Sequence, residues 1–292
     1  MSRLDPKLDL VFKLLLTRGQ GLLVDMLQGV LGRPVRSVEI INPRIPGELS
    51  TDKAIILDIR AKLDDGARVD VEMQLRTDNH LAARMTYYGA RDYTTQLVRG
   101  DDYDQLRPTA VILWLLEPLF PDLDQLHSIF ELRERHTNRL LTDQLAIHVL
   151  QLSCLSESKS TEDDARVRRW ARFFTAKEDA DFDKLAAEDP IMAVATQTLD
   201  QLSQDPDVRQ MAQEREHAQM FYRMELATSR QQGIEQGIEQ GRSEMLLELL
   251  ELRFGSLSDT TRAQINTASP QQLRAWTRQV LTANTLDNVF AA

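Results

Sequence analysis

The chain contains a single cysteine and no long hydrophobic run, and both shortages exclude classes of protein. Cys154 is the only cysteine among 292 residues, which leaves no internal disulfide and no zinc cluster built on cysteines. The longest apolar run, residues 110–116, is far too short to span a membrane. No charged and then apolar leader opens the sequence. We therefore expect a cytoplasmic protein that does not bind a membrane.

Positive charge is also in short supply. The formal net charge is −10 at pH 7, which argues against a protein that coats nucleic acid, because non-specific binding depends on Lys and Arg contacts to phosphate. A local basic patch is still compatible with this composition. The hydrophobic content of 42% and the charged content of 27% are ordinary for a globular protein, and the length suffices for one large or two modest domains.

Residues 53–76 are predicted to form a β-hairpin. From Arg68 onward apolar and polar residues alternate, which indicates a strand with one buried face. Residues 54–62 are richer in apolar side chains and are expected to form the more central strand. Between the two strands, residues 64–66 read Asp-Asp-Gly, which suits a three-residue loop with glycine in the left-handed position.

Asp58 interrupts the apolar residues of the first strand, and the register of the hairpin decides what it faces. A three-residue loop pairs Leu63 with Ala67. In that register Asp58 lies directly opposite Glu72, with the Cβ atoms about 4.5–5.5 Å apart. Two carboxylates that close repel each other unless a proton or a cation lies between them, and a divalent cation is the usual solution. A two-residue turn would instead bury Asp58 opposite Met73, which is chemically worse.

These residues alone leave two interpretations of the hairpin open. In the first, Asp58 and Glu72 form a metal site. In the second, both are solvent-facing strand residues, with Asp58 bonded to a neighbouring arginine such as Arg60 or Arg68.

The periodicity of the first 116 residues predicts the order helix, strand, strand, strand, helix, strand. The first helix begins at Asp5 and Pro6, a second helical run covers residues 22–31, and a later helix runs from residue 78 to about residue 98. The strands outside the hairpin are expected at residues 35–41 and 109–116, the latter buried on both faces. A further pair of strands is expected at residues 129–135 and 145–152.

After residue 161 the pattern becomes helical. Helices are expected over residues 165–175 and 191–202, over a long polar stretch from 208 towards 252, and after Ser269. The long helix contains glycine at 233, 237 and 241, and each glycine weakens a helix by up to about 1 kcal/mol relative to alanine. Such glycines are tolerated where helices approach closely, so we expect either helix pairing, which would give a homo-oligomer, or a hinge. The predicted domains are 1–155, 156–230 and 231–292.

Together these features resemble the Rpn family of recombination-promoting nucleases and transposases, within the PD-(D/E)xK nuclease superfamily. The similarity rests on Leu8, Asp9, Phe12 and Lys13, on Leu57, Asp58 and Ile59, on the turn at Asp65 and Gly66, on Glu72, Met73 and Gln74, and on Arg84 and Tyr87. It runs to about residue 153, and the C-terminal helices are similar to a helical domain often attached to this family. The resemblance implies an α/β fold with a restriction-endonuclease-like core (α-β-β-β-α-β) and a mainly α-helical C-terminal region.

The resemblance also implies metal-dependent hydrolysis of DNA phosphodiester bonds, linked to recombination or mobile elements. Asp58 and Glu72 would bind Mg²⁺ or another divalent cation such as Mn²⁺, with the backbone carbonyl of Met73 as a third ligand. Gln74 stands where the superfamily usually has a lysine, and a glutamine orients water without adding charge. Slow catalysis, a second metal ion and a lysine from elsewhere, such as Lys13, are the alternatives that this departure leaves.

Four further residues are candidates to support the same site, and each has a plainer explanation. Asp9 and Lys13 are most simply an intrahelical ion pair. Arg84 suits either a phosphate contact or a solvated helix face, and Tyr87 suits packing better than base stacking. Two other functions stay open: a weak or inactive nuclease relative that acts as a protein-interaction module, and an unrelated α/β protein with an incidental acidic hairpin.

Overall fold

The computed structural model describes residues 2–19, 21–42, 44–45, 55–56, 58–155 and 164–291 of the chain. The chain divides into two compact units, Met1–Glu216 and His217–Ala292. Within the described residues, no helix is both long enough and apolar enough to cross a membrane.

The first unit contains a six-stranded sheet with helices on both faces. Its helices are α1 (Asp9–Arg18), α2 (Leu22–Leu31), α3 (Leu81–Thr94), α4 (Asp164–Thr175), α5 (Asp179–Glu188), α6 (Pro190–Gln204) and the start of α7 (Pro206–Phe254). Its strands are β1 (Val38–Ile40), β2 (Arg44–Ile45), β3 (Ile55–Ile56), β4 (Ile59–Leu63), β5 (Arg68–Gln74), β6 (Thr109–Leu115), β7 (His127–Arg133) and β8 (Leu140–Gln151).

The order of strands in the sheet is β1-β4-β5-β6-β8-β7, and β2 pairs with β3 in a separate ribbon. The pairs β5–β6 and β6–β8 are parallel, whereas β1–β4, β4–β5 and β7–β8 are antiparallel. β5 is therefore more central than β4, and the opposite expectation is wrong. The reason is that α3 returns the chain so that β6 pairs with β5.

Each face of the sheet has its own hydrophobic core. On the side that we call the α3 face, α3 packs on β6 and β8 through Leu81, Met85, Val111, Leu113, Leu115 and Val149. α3 approaches β6 so closely that a Cβ added at Gly89 would lie 2.8 Å from Cγ2 of Val111. This close approach brings the side chains of α3 down onto the polar residues of β5.

The opposite side, which we call the α1 face, is covered by α1, α2, α4, α5, α6 and the start of α7. The ring of Phe174 on α4 lies 5.5 Å from Phe12 on α1 and 5.1 Å from Trp114 on β6, measured between centroids. One core therefore runs across residue 155, where a domain boundary was expected. Residues 156–163 lie outside the described part of the chain.

Several predicted elements agree with the structure. The second helix has the predicted bounds, the strand at 109–116 is β6 and is buried on both faces, and the long helix is α7. α3 ends at Thr94 rather than near residue 98, and β1 covers only three of the seven predicted residues. Lys53, Ala54 and Leu57 of the predicted hairpin lie outside the described residues.

The second unit is a small helical module. The end of α7 packs against α8 (Asp259–Asn266), α9 (Pro270–Gln279) and α10 (Leu286–Phe290). Their shared core consists of Leu246, Leu250, Leu257, Ile265, Leu273, Trp276, Val280 and Val289. A Cβ added at glycines 233, 237 and 241 would meet no atom of the described chain within 4 Å. The close approach that these glycines would permit is therefore not made within the described part of this chain.

Candidate active site

The hairpin of β4 and β5 has the register that a three-residue loop predicts. Leu63 donates its N–H to the carbonyl oxygen of Ala67 at 2.8 Å. Gly66 has a φ of 89°, in the left-handed region that the loop requires. In this register Asp58, which directly precedes β4, lies beside Glu72 near the carboxyl end of β5.

A backbone N–H group orients each of the two carboxylates. The N–H of Asp58 donates to Oε1 of Glu72 at 3.0 Å, and the N–H of Met73 donates to Oδ2 of Asp58 at 3.0 Å. Oδ1 of Asp58 accepts no hydrogen bond from the described residues, and Oε2 of Glu72 accepts only from Nε2 of Gln74, at 3.3 Å. Each carboxylate thus has one fixed oxygen and one oxygen that remains available for a ligand.

β5 is buried on both faces, which corrects the prediction of one buried face and the interpretation of Glu72 as a solvent-facing residue. Glu72 is 4% exposed and Asp70 is 0% exposed, because β4 and β6 flank the strand and α3 covers its polar side. Arg60 and Arg68 do not bond to Asp58. Both donate to Oδ1 of Asp92 on α3, at 2.8 and 3.0 Å.

Asp70 is a second buried acid on the same strand. Both of its carboxylate oxygens are buried, and neither accepts a hydrogen bond from the described residues. Burial, together with the nearby charge of Asp92, raises its pKa well above the ordinary value. The alternation from Arg68 onward places Asp70 and Glu72 on the same face of β5, and the structure buries both of them.

Burial perturbs the pKa of both members of the carboxylate pair. It raises the pKa of Glu72 to about 8, with a further contribution from the charge of Asp58. It also raises the pKa of Asp58 to about 6, against the opposing effect of the Met73 N–H. Such a pair is stabilised in its ionised form by a cation between the two groups. The geometry and the electrostatics thus agree on a site for positive charge.

A chain of polar side chains fixes the position of Gln74. Oε1 of Gln74 accepts from Nη2 of Arg84 at 3.3 Å, and Nη1 of Arg84 lies 3.5 Å from Oδ2 of Asp78. This arrangement turns the amide nitrogen of Gln74 towards Glu72. Tyr87, the neighbouring candidate on α3, is 44% exposed, and its contribution to the site stays a prediction.

On the α1 side of the pair, Asp9 does not form the predicted ion pair with Lys13. Its Oδ2 pairs with Nη1 of Arg215 at the start of α7. Asp9, Lys13 and Arg215 all influence the pKa of Asp58: Asp9 raises it, whereas Lys13 and Arg215 lower it. The sequence reasoning missed Arg215, because it is 206 positions from its partner and nothing local marks it.

The available ligands suit a hard divalent cation. The described residues contain no group of three or more His, Cys, Asp or Glu side chains that could hold a metal ion. Asp58 and Glu72 offer two carboxylates, a number that Mg²⁺ accepts when it keeps several waters or substrate oxygens as ligands, and their role as metal ligands stays a prediction. The backbone carbonyl of Met73 as a third ligand stays a prediction.

Comparison with known proteins identifies the family. A family model described as PD-(D/E)XK nuclease family transposase matches residues 6–229, a range that includes Asp58, Glu72 and Gln74. Comparisons with curated proteins and with solved structures give no significant match. The mixed α/β fold and its six-stranded sheet are consistent with a nuclease-like fold of this type. The chain belongs to the PD-(D/E)XK nuclease family transposases.

Proposed function

We propose that the chain is a divalent-metal-dependent DNA endonuclease of the Rpn type, which hydrolyses phosphodiester bonds in recombination or in the movement of mobile elements. The observation that carries this proposal is the pair of Asp58 and Glu72: Glu72 is buried, Asp58 is half-buried beside it, and a backbone N–H orients each carboxylate. Family membership supports the nuclease chemistry.

The chain's own residues have distinct roles in this proposal. Asp58 and Glu72 hold the cation, with the Met73 carbonyl as a further oxygen ligand. Bound Mg²⁺ or Mn²⁺ supplies Lewis-acid polarisation of the scissile phosphate and lowers the pKa of a bound water. Gln74 donates an amide hydrogen and orients the attacking water. Arg84 is a positioning residue, because it binds the amide oxygen of Gln74 and so fixes which way the amide points.

We propose that Lys13 supplies the positive charge that a lysine in place of Gln74 would have provided. It lies on α1, and its charge lowers the pKa of Asp58, so it is close enough to act on the carboxylate pair. Asp9 and Tyr87 support the site from α1 and α3. Lysine at this place would stabilise charge on the phosphate without contacting Gln74.

The decisive test is cleavage of plasmid DNA by the purified full chain in Mg²⁺. We expect Asp58→Asn and Glu72→Gln each to reduce the rate at least about 100-fold, because each removes a charged ligand of the cation. Glu39→Gln is the matched control, since Glu39 is exposed on β1, and it should cut at the wild-type rate. Cleavage that survives Asp58→Asn would show that the site is assigned wrongly.

A second candidate function is a weak or inactive nuclease that acts as a protein-interaction module. Gln74 favours this second function, because it stands where the superfamily usually has a positively charged lysine. If the chain binds no divalent cation at millimolar concentration and cuts no DNA, this function replaces the first.

We also propose that the C-terminal helices form a homo-oligomer. The glycines at 233, 237 and 241 face open space in the described chain, and Ile234 and Ile238 are each 48% exposed. A partner helix would cover them. We expect deletion of residues 233–292 to reduce the particle mass measured by light scattering to that of one chain, and an unchanged number of subunits would count against helix pairing.

A further inference from the structure

We propose that Arg215, near the start of α7, binds a phosphate of the DNA substrate beside the carboxylate pair, and that Asp9 holds it in position. The inference rests on the proposed nuclease function. It assigns a substrate-binding role to a residue outside the hairpin and outside every motif in the sequence.

The position of Arg215 is set by Asp9. Nη1 of Arg215 pairs with Oδ2 of Asp9, and Oδ1 of Asp9 accepts from the N–H of Leu10 at 2.7 Å. The carboxylate of Asp9 is therefore fixed at the first turn of α1. α1 packs against β5, the strand that carries Glu72, so this anchoring places the guanidinium on the side of the site that α1 borders, and its charge lowers the pKa of Asp58.

Most of the hydrogen-bonding capacity of Arg215 remains available. A guanidinium has five N–H donors, and among the described residues Asp9 is the only hydrogen-bond partner of Arg215. Its side chain is 51% exposed. The remaining donors suit two oxygens of one phosphate, since the planar fork of arginine binds such groups in a bidentate manner.

The charge around the metal-free site favours such a residue. In the absence of a bound cation, a phosphate that approaches the site meets the negative charges of Asp58 and Asp9, and above about pH 8 that of Glu72 as well. Gln74 adds no charge, and Arg84 is held by Gln74 and Asp78. Lys13 and Arg215 are the other cations that act on Asp58 in the described part of the chain. Lys13 alone would leave the approach to the site negative.

A second ion pair, between α1 and Asp205, the residue that directly precedes α7, provides the control. Nη1 of Arg18, in the last turn of α1, lies 3.8 Å from Oδ2 of Asp205, and the Arg18 side chain is 55% exposed. Arg18 is about as exposed as Arg215. It lies about 13 Å along the axis of α1 from Asp9, the partner of Arg215, by helical rise. If the Arg215 pair only held α7 against α1, the two arginines would be equivalent. An exposed pair of this kind contributes little to stability.

The experiment compares Arg215→Gln, Arg215→Lys and Arg18→Gln in the full chain. Binding of a fluorescent double-stranded oligonucleotide is measured by anisotropy in EDTA at several salt concentrations, and cleavage kinetics are measured separately in Mg²⁺. We expect Arg215→Gln to weaken binding about 10-fold at low salt and to reduce the salt slope by about 1. KM should rise more than kcat falls, Arg215→Lys should recover most of the binding, and Arg18→Gln should behave as wild type.

The outcomes separate this inference from the proposed function. Wild-type cleavage together with an Arg215→Gln variant that binds and cuts normally overturns the role of Arg215 alone. Equal losses in Arg215→Gln and Arg18→Gln also overturn it, because the pairs would then only hold the helices together. A wild-type chain that binds DNA but does not cut it refutes the nuclease function, and the binding series still decides the role of Arg215. A wild-type chain that binds no DNA overturns both.

Discussion

Replacing Glu72 by glutamine should stabilise the metal-free protein above neutral pH, although the same change should abolish cleavage. Burial and the charge of Asp58 raise the pKa of Glu72 from 4.5 to about 8. The folded state therefore retains a proton that the unfolded state has already released. The stability contributed by the protonated group is full below about pH 4.5 and is lost as the pH rises towards about 8.

The size of this effect follows from the displacement of the pKa. Each pKa unit corresponds to about 1.4 kcal/mol, which sets a ceiling of about 5 kcal/mol on the stability lost between these two pH values. Burial also raises the pKa of Asp58 to about 6, and the charge of Asp58 is one of the causes of the Glu72 shift, so part of this ceiling depends on the charge state of Asp58. We expect Glu72→Gln to raise the free energy of unfolding by about 2–4 kcal/mol at pH 8.5.

The measurement is urea unfolding in EDTA at about pH 5 and pH 8.5, for wild type, Glu72→Gln and the exposed control Glu39→Gln. The gain for Glu72→Gln should be small at the lower pH and large at the higher one, and the control should follow wild type at both. An equal gain at both pH values would refute the reasoning, because the stabilisation would then come from packing and not from removal of a buried charge.

Three further predictions concern the rest of the first unit. Gly89→Ala should lower the free energy of unfolding by about 1–3 kcal/mol, because the added Cβ would lie 2.8 Å from Cγ2 of Val111; thermal unfolding measures this. Burial lowers the pKa of His148 to about 3, so its contribution to stability should fall by about 1.4 kcal/mol per pH unit below about pH 6.5; denaturant unfolding of His148→Phe and wild type at pH 5 and 7 measures this. Residues 1–155 alone should fail to unfold cooperatively, whereas residues 1–216 should fold, because the core crosses that boundary; calorimetry distinguishes the two.

A specific result would contradict each of these three predictions. An unchanged melting temperature for Gly89→Ala, with Ala90→Gly as a helix-propensity control, would mean that α3 lies further from β6. Identical acid sensitivity in His148→Phe and wild type would mean that His148 is not held neutral by burial. Cooperative unfolding of residues 1–155 would restore the shorter domain predicted from the sequence.

The features that the sequence predicted best are those that depend on neighbouring residues. The hairpin register follows from a loop that needs Gly66 at positive φ, and α2 ends at Gly32 for a similar local reason. Burial of the carboxylates was missed. An alternating strand pattern shows which side chains share a face, but it does not show that a helix from elsewhere covers the polar one. α5 was missed because its capping box uses Glu178 and Asp181 in place of the usual Ser or Thr.

Pairs that join distant segments could not be predicted at all. Arg60 is 32 positions from Asp92, and Arg215 is 206 positions from Asp9. Helical spacing predicts that Asp9 pairs with Lys13, four residues further along the same helix. In the folded chain Asp9 pairs with Arg215 instead. For this reason the hairpin half of the candidate site could be predicted, and the half that lies between α1 and α7 could not.

The aromatic core on the α1 face also sets an order of events during protein synthesis. Phe12 and Trp114 emerge from the ribosome before Phe174, which covers them both. At roughly 5–20 residues per second, the about 60 residues between Trp114 and Phe174 take roughly 3–12 s to translate. For that interval Phe12 and Trp114 lack the ring that packs against both of them in the folded chain. Such a nascent chain is a natural client for a chaperone, and it becomes a closed, packed nuclease fold only after α4–α6 have been made.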